Sequence, residues 1–164
     1  MTQLYSKDLI TNVLNFFKNG ATDPQGNFYS LTSLIASYQT DHTGVTITPL
    51  TNFEIVKKPD FQFPYGVLYE NQTQIETYEV QNDLNKFDFA LNFADQRADL
   101  NQLRTNLYAY RDSCSFLINH FRDLGGVCIQ AYRTVIKPPL VMQKAGNYTG
   151  VIEIDFQVWD SIHV

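Results

Sequence analysis

The amino-acid sequence predicts a single-domain α+β fold, in which a mostly antiparallel sheet is packed by one long helix. Residues 86–93 alternate apolar and polar side chains, as a strand with one buried face does. The same alternation returns at residues 152–158. Between these segments, apolar side chains recur at helical spacing from Leu100 to Leu124. Strands on both sides of one long amphipathic helix indicate an α+β domain.

Length and charge restrict the class of protein. The 164 residues fit one domain, and a chain of this length buries about 70% of the surface that it exposes when unfolded. The net charge is −5 and the pI is near 5.0. Proteins that bind nucleic acid through its phosphates need clustered Lys and Arg, so we expect no sequence-specific nucleic-acid binding. An acidic channel around passing DNA is compatible with this charge.

The sequence lacks the usual signals for a membrane. It contains no run of about 18 or more apolar residues that could span a bilayer. Its first residues do not show the charged-then-apolar layout of a signal peptide. We therefore expect no membrane partner and a chain that lies in the cytosol of the cell that makes it.

The N-terminal third predicts a short helix followed by short strands. Ser6 can cap a helix over about 6–18, which Gly20 would end. Turn residues alternate with Thr, Val, Ile and aromatic residues over 26–59, which favours short strands, including 44–48 and 52–56. The segment 27–38 is compatible with strand or helix, and we predict strand.

An acidic segment lies between two predicted strands. Strands are expected near 61–70 and 86–93, with another over 74–80. The region 70–88 has a polar middle and a single basic residue, Lys86. Its acidic residues are Glu70, Glu76, Glu79, Asp83 and Asp88. Such a segment is either a hairpin that projects beyond the core or an ordinary exposed meander, and the sequence leaves both open.

The long helix is predicted over about 97–124, bounded by Asp95 or Asp99 and by Gly125-Gly126. Its apolar seam could form a coiled coil, but nearby half-buried strands favour a helix that covers a sheet. Strands are expected over 127–135 and 148–159, with Pro138-Pro139 between them.

The sequence predicts no catalytic residue, no metal site and no cofactor. His42, His120 and His163 have no Cys, His or carboxylate partner at ligand spacing. Cys114 with His120 could be a nucleophile and a base, but their six-residue spacing turns them apart on a helix. We expect Cys114 and Cys128 to be buried small hydrophobic residues rather than a disulfide.

Three arginines recur every seven residues along the predicted helix: Arg97, Arg104 and Arg111. A row of this kind could bind carboxylates of a neighbouring subunit. It could also be a solvated helix face that includes Asp99 and Asp112, since single surface ion pairs contribute little. The sequence leaves both readings open.

The order of these elements resembles the tail terminator and neck proteins of long-tailed bacteriophages. The resemblance extends over most of the chain, from the N-terminal helix to the last strand. The segments that carry it are Phe-Pro-Tyr-Gly-Val-Leu-Tyr (63–69), Lys-Phe-Asp-Phe-Ala-Leu-Asn-Phe (86–93), the long helix, and Gly-Val-Ile-Glu-Ile-Asp-Phe-Gln-Val-Trp (150–159).

The resemblance implies a structural virion protein without covalent chemistry. Such subunits assemble as a ring, usually a hexamer, that caps the tail tube and presents a surface to the head connector or adaptor protein. DNA passes through the open centre. On this interpretation the arginine row faces the neighbouring subunit, and the acidic segment 70–88 faces the lumen or the tube. The alternatives are another head–tail part (adaptor, stopper or tube subunit), an enzyme with an unfamiliar site, or a non-viral protein- or ligand-binding module.

Overall fold

A computed structural model describes residues 6–55, 60–79 and 82–160. Within these residues the chain forms three helices and eight strands. The helices are α1 (Ser6–Asn19), α2 (Leu31–Asp41) and α3 (Leu100–His120). The strands are β1 (Ala21–Thr22), β2 (Phe28–Tyr29), β3 (Asn52–Glu54), β4 (Tyr65–Glu79), β5 (Asn82–Arg97), β6 (Gln130–Ile136), β7 (Leu140–Lys144) and β8 (Asn147–Asp160).

Six strands form one sheet in the order β3-β4-β5-β8-β6, with β7 also paired to β8. β3 runs parallel to β4, and every other pair in this sheet is antiparallel. The two alternating segments of the sequence are neighbours, with Phe89 opposite Phe156. β1 and β2 form a separate two-stranded ribbon. The predicted α+β fold, with a mostly antiparallel sheet packed by a long helix, is confirmed.

The hydrophobic core lies between one face of the sheet and the helices. β5 and β8 supply Phe87, Phe89, Leu91, Phe93, Ile152, Ile154, Phe156 and Val158. α1 and α3 supply Leu9, Val13, Phe17, Leu103, Leu107, Tyr110 and Leu117. Gly150 lies where α3 crosses β8, and a Cβ there would be 2.8 Å from Leu107 Cδ1. Only glycine lets the helix approach this closely.

The strand prediction for 27–38 is wrong, because α2 begins at Leu31 and only Phe28–Tyr29 is strand. The side chains of Ser30 and Ser33 form a capping box. Ser33 N–H donates to Ser30 Oγ at 3.0 Å, and Ser30 N–H donates to Ser33 Oγ at 2.8 Å. Leu31 and Ile35, one helical turn apart, are buried in the core. Cap and packing together outweigh the strand propensity of this segment.

α3 is shorter at both ends than the predicted 97–124. Asp99 caps its first turn, accepting the backbone N–H groups of Asn101 at 2.8 Å and Gln102 at 3.2 Å. Beyond its C-terminal end the chain turns, and Leu124 has a left-handed φ of 50°. β5 continues through Arg97, which is therefore on the sheet and not on the helix.

The acidic segment lies within the hairpin of β4 and β5. β8 pairs with β5 as far as Asn85 and Asp160. Residues 82–84 of the hairpin therefore extend past the last described residue of β8. Beyond Val67, β5 is the only described strand that pairs with β4, which makes this part of β4 an edge strand. Residues 80–81 and 161–164 lie outside the described residues, and the projecting hairpin stays a prediction.

A buried polar network joins α3, β5 and the segment before β3. Asn106 Nδ2 donates to Asp95 Oδ2 at 2.8 Å, and both side chains are fully buried. Arg97 Nε lies 3.0 Å from the same carboxylate oxygen. The backbone N–H of Thr48 donates to Asn106 Oδ1 at 3.2 Å. The strand predicted over 44–48 is wrong: this segment is irregular and held by side chains of α3.

Candidate functional surfaces

The histidines and cysteines do not gather into a metal site within the described part of the chain. His42 stacks on Tyr38 with ring centroids 4.1 Å apart, and His163 lies outside the described residues. Cys114 and Cys128 are both buried and free in the structure. Burial raises the pKa of Cys128 to about 12 and also raises the pKa of Cys114. Neither is a reactive thiolate at neutral pH.

His120 has a carboxylate partner that the sequence did not reveal. Its Nε2 lies 3.0 Å from Asp23 Oδ2, and its ring stacks on Phe116 and meets Tyr29 edge to face. Asp23 follows β1 directly and is 97 residues away from His120 in the sequence. The pair joins the β1–β2 ribbon to the end of α3. Cys114, the partner considered for His120, is a buried residue of the core.

Hydrogen bonds keep Asp23 ionised in the folded chain. Burial by itself raises the pKa of Asp23. Hydrogen bonds from the backbone N–H groups of Asn27 and Gln25, and from His120, outweigh it and hold the pKa below its ordinary 3.8. Because the folded pKa is below the unfolded one, this stabilisation is present above pH 3.8 and is lost as the pH falls through the folded pKa.

We expect Asp23→Asn to lower the melting temperature by a few degrees near neutral pH. The difference from the unmodified protein should shrink as the pH falls below the ordinary pKa of 3.8. Thermal melts followed by circular dichroism between about pH 7 and pH 3 test this. Asp41→Asn changes an exposed carboxylate and is the control. A difference that stays the same at every pH would contradict the prediction.

The three arginines do not form one row. Arg97 lies on β5 and binds Asp95, whereas Arg104 and Arg111 lie on α3. The predicted row is wrong for Arg97, because the cap at Asp99 starts the helix after it. Arg104 is exposed. A role for the two helical arginines in a subunit interface stays a prediction.

Arg111 is already occupied by contacts within the chain. Its Nη1 donates to the Lys137 carbonyl at 2.8 Å, and its Nη2 lies 2.7 Å from Asp112 Oδ1. The guanidinium lies 4.9 Å from the ring centre of Tyr108. Only 14% of its side chain is exposed. These contacts leave Arg104 as the more accessible of the two arginines on α3.

The structure divides the acidic segment between two strands. Glu70, Glu76 and Glu79 belong to β4, and Asp83 and Asp88 belong to β5. The side chains of residues 75–83 lie outside what the structure describes. Glu70 is exposed and accepts a hydrogen bond from Thr73. Asp88 is half-buried and accepts one from Gln157 at 2.8 Å. The orientation of this segment toward a lumen or a tube stays a prediction.

The sheet face opposite the helices, here called the open face, carries a charged cluster. Lys137 Nζ lies 2.7 Å from Glu153 and 3.2 Å from Asp155. Tyr69 and Asn92 also donate to Glu153. Burial and the bond to Glu153 raise the pKa of Tyr69 to about 12, and the same two influences raise the pKa of Asp155.

This charged cluster joins β4, β5 and β8 to the residue that follows β6. Two carboxylates with different proton affinities can serve acid–base chemistry, but structural ion-pair networks show the same feature. The cluster lies on the open face of the sheet, and its residues line neither the groove between α1 and α2 nor the groove between α2 and α3. The geometry therefore supports a structural role.

The β6–β7 arm, residues 130–144, exposes apolar side chains at one edge of the sheet. The exposed fractions are 47% for Val135, 45% for Ile136, 75% for Leu140 and 72% for Met142. The arm contains no Asp or Glu, although the whole chain has 17. Its charged residues are Arg133, Lys137 and Lys144. An apolar surface rimmed by charge is typical of a protein-binding surface.

The α1–α2 groove lies at the opposite edge of the sheet. It has a cavity volume of about 320 Å³ between α1, α2 and the segment that ends in β3. Its apolar lining includes Phe17, Leu31, Ile35, Ile47, Leu50 and Phe53. Lys18 also lines it and lies 3.8 Å from Glu54. A second groove of about 250 Å³ between α2 and α3 is lined by residues including Tyr38, Tyr108 and Phe116.

Comparison of the sequence with known protein families and with curated proteins finds no match to either. Among the described residues, no helix is both long enough and apolar enough to cross a membrane.

The arm and the groove were missed by sequence reasoning. Pro138-Pro139, followed by Leu140 and Met142 in a stretch without acidic residues, is the signal that could have indicated an exposed apolar arm. Nothing in the sequence indicates the groove, because residues far apart in the chain line it.

Proposed function

We propose that this chain is a structural subunit that assembles with its own copies into a ring, caps a phage tail tube and joins it to the head connector. The element order of the sequence resembles that of tail terminator and neck proteins. The resemblance implies a small subunit of helices and strands, and the α+β fold, with a long helix on a mostly antiparallel sheet, is compatible with it.

The observation that carries the proposal is the exposed β6–β7 arm. Leu140 and Met142 keep more than two thirds of their surface in water. An exposed apolar surface of this kind is typical of a protein that is completed by a partner. Burying each of these side chains would stabilise an assembly by about 1.5–3 kcal/mol before the cost of association.

The mechanism in this proposal is physical. Different patches on neighbouring subunits meet, and their rotation closes the ring after a fixed number of copies. The far face of the ring lacks the surface that another tube ring would need, so polymerisation stops. The acidic segment 70–88 would face the lumen or the tube, where negative charge disfavours adhesion of passing DNA.

Polymerisation of purified tail tube protein tests this function. We expect the chain, added during assembly, to shorten the tubes and to appear as extra density at one tube end in electron micrographs. A variant without the exposed anchors, with Leu140 and Met142 replaced by Asp, should lose this effect. Tubes of unchanged length with bare ends would contradict the proposal. In an intact tail one end of the tube faces the head. Density at the other end of the tube would favour another tail part.

The α1–α2 groove favours one alternative, a ligand-binding module. A volume of about 320 Å³ with an apolar lining is within the range of small-molecule pockets. A rise in melting temperature on adding small apolar compounds, in a protein that does not affect tube length, would support this alternative instead.

A further inference from the structure

We propose that residues 42–50, here called the strap, open as one unit and uncover the apolar lining of the α1–α2 groove, while the sheet and the helices stay folded. The strap follows α2 and leads to Thr51, the residue before β3. Ile47, Pro49 and Leu50 of the strap line the groove. The opening is a property of one chain and does not depend on the proposed ring.

The large apolar side chains of the groove are nearly closed to solvent. The exposed fractions are 0% for Phe17, 7% for Leu31, 3% for Ile47 and 7% for Phe53. Another molecule can contact these side chains only after one wall of the groove moves. Helices α1 and α2 and strand β3 supply the other lining residues. The strap is the one wall without regular secondary structure, and it is therefore the wall that can move at the lowest cost.

Side chains of α2 and α3, rather than a partner strand, hold the strap closed. The backbone N–H of Ile47 donates to Gln39 Oε1 at 2.7 Å. The backbone N–H of Thr48 donates to Asn106 Oδ1 at 3.2 Å. Two further side chains donate to backbone carbonyls of the strap: Gln102 to Thr46 at 2.7 Å, and Tyr110 to Thr48. When the strap opens, its backbone groups exchange these bonds for bonds to water, which offsets most of the loss.

Opening exposes little apolar surface and leaves the buried carboxylate paired. Ile47 is the only buried residue of the strap, all of which the structure describes. Asn106 Nδ2 lies 2.8 Å from Asp95, and this bond does not involve the strap. Gly44 is exposed near one end of the strap and has a left-handed φ of 85°, so the backbone can turn there without moving a side chain. Segments with few buried apolar side chains open at a lower free energy than the core.

Native-state hydrogen exchange of the unmodified protein tests the opening. After correction for intrinsic rates, we expect the amides of Ile47 and Thr48 to exchange at least about 100-fold faster than those of Phe89 and Phe156 in the central strands. Low concentrations of urea should leave the exchange of the strap unchanged, because a local opening exposes little surface. Strap amides that exchange as slowly as the central strands, with the same dependence on urea, would overturn the inference.

Gln39→Met distinguishes one opening unit from local fraying. Methionine keeps the length of the side chain but cannot accept the N–H of Ile47. The amide of Thr48 donates to Asn106, so this change does not touch its bond. If the strap opens as a unit, exchange nevertheless rises about tenfold at both amides. Gln25→Met removes the same amide group from an exposed position between β1 and β2, and it should leave both rates unchanged. Faster exchange at Ile47 alone would indicate fraying and overturn the inference.

Thiol labelling tests whether the opening uncovers the groove. Ile35→Cys places a thiol on the lining at a position that is 9% exposed. The buried Cys114 and Cys128 of the unmodified protein give the background rate. Adding Gln102→Met removes a bond to the strap from outside the groove, and we expect it to speed labelling about tenfold. Labelling that stays unchanged while the strap amides of this variant exchange faster would show that the groove stays covered, which would overturn the inference.

Discussion

Replacing Phe156 with alanine is expected to lower the free energy of unfolding by about 4 kcal/mol. Phe156 is fully buried on β8, and its ring centre lies 5.7 Å from those of Phe17 on α1 and Phe89 on β5. Its removal takes apolar contacts from a helix and from the neighbouring strand at once. It also leaves a cavity that a sheet with fixed register cannot close.

Urea unfolding followed by circular dichroism measures this change. Phe28→Ala is the matched control, because it removes the same side chain from a position that is 55% exposed. We expect the control to change the free energy of unfolding by less than about 1 kcal/mol. Both variants should be compared at one low protein concentration, since assembly stabilises the folded state. Equal losses in the two variants would contradict the assignment of the core.

Replacing Asn106 with leucine is expected to lower the free energy of unfolding by about 3 kcal/mol. Leucine fills a similar volume but cannot donate to the buried carboxylate of Asp95. It also leaves the backbone N–H of Thr48 without this acceptor. A buried carboxylate that loses a hydrogen-bond donor retains its desolvation cost, so the loss exceeds that of an average surface change.

Asn101→Leu is the control for this second variant, because Asn101 is exposed in the first turn of the same helix. We expect its effect to stay within about 0.5 kcal/mol. The melting temperature and the urea midpoint of both variants check the prediction. An Asn106→Leu variant that is as stable as the unmodified protein would show that the polar network contributes no net stability.

The sequence predicted those elements whose local pattern agrees with their final packing. The alternation in β5 and β8 comes from one buried sheet face, and the helical spacing in α3 comes from the same core. Both signals are strong because each element meets the core along its whole length. The N-terminal helix α1 was predicted for the same reason.

Local propensity was insufficient where a cap decides the structure. Residues 31–41 are helical because Ser30 and Ser33 form a reciprocal cap and Leu31 and Ile35 are buried. Arg97 leaves the expected arginine row because Asp99 sets the start of α3. In the first case the cap helps to make a helix where a strand was predicted, and in the second a cap moves the start of a helix by a few residues. Periodicity alone does not resolve this.

The candidate surfaces could not be predicted for a different reason. The arm and the groove depend on which strands form the sheet edges, and strand order is a property of the tertiary fold. β8, the last strand in sequence, lies inside the sheet, whereas β3 lies at an edge. The pairing of Asp23 with His120 spans 97 residues and has no local signal.

Negative-stain electron microscopy of the purified protein, alone at high concentration and mixed with isolated tails, tests the central claim most directly. The account predicts closed rings of one size, about six copies as the resemblance implies, and added density at a single tail end. Monomers that bind neither one another nor tails would contradict it.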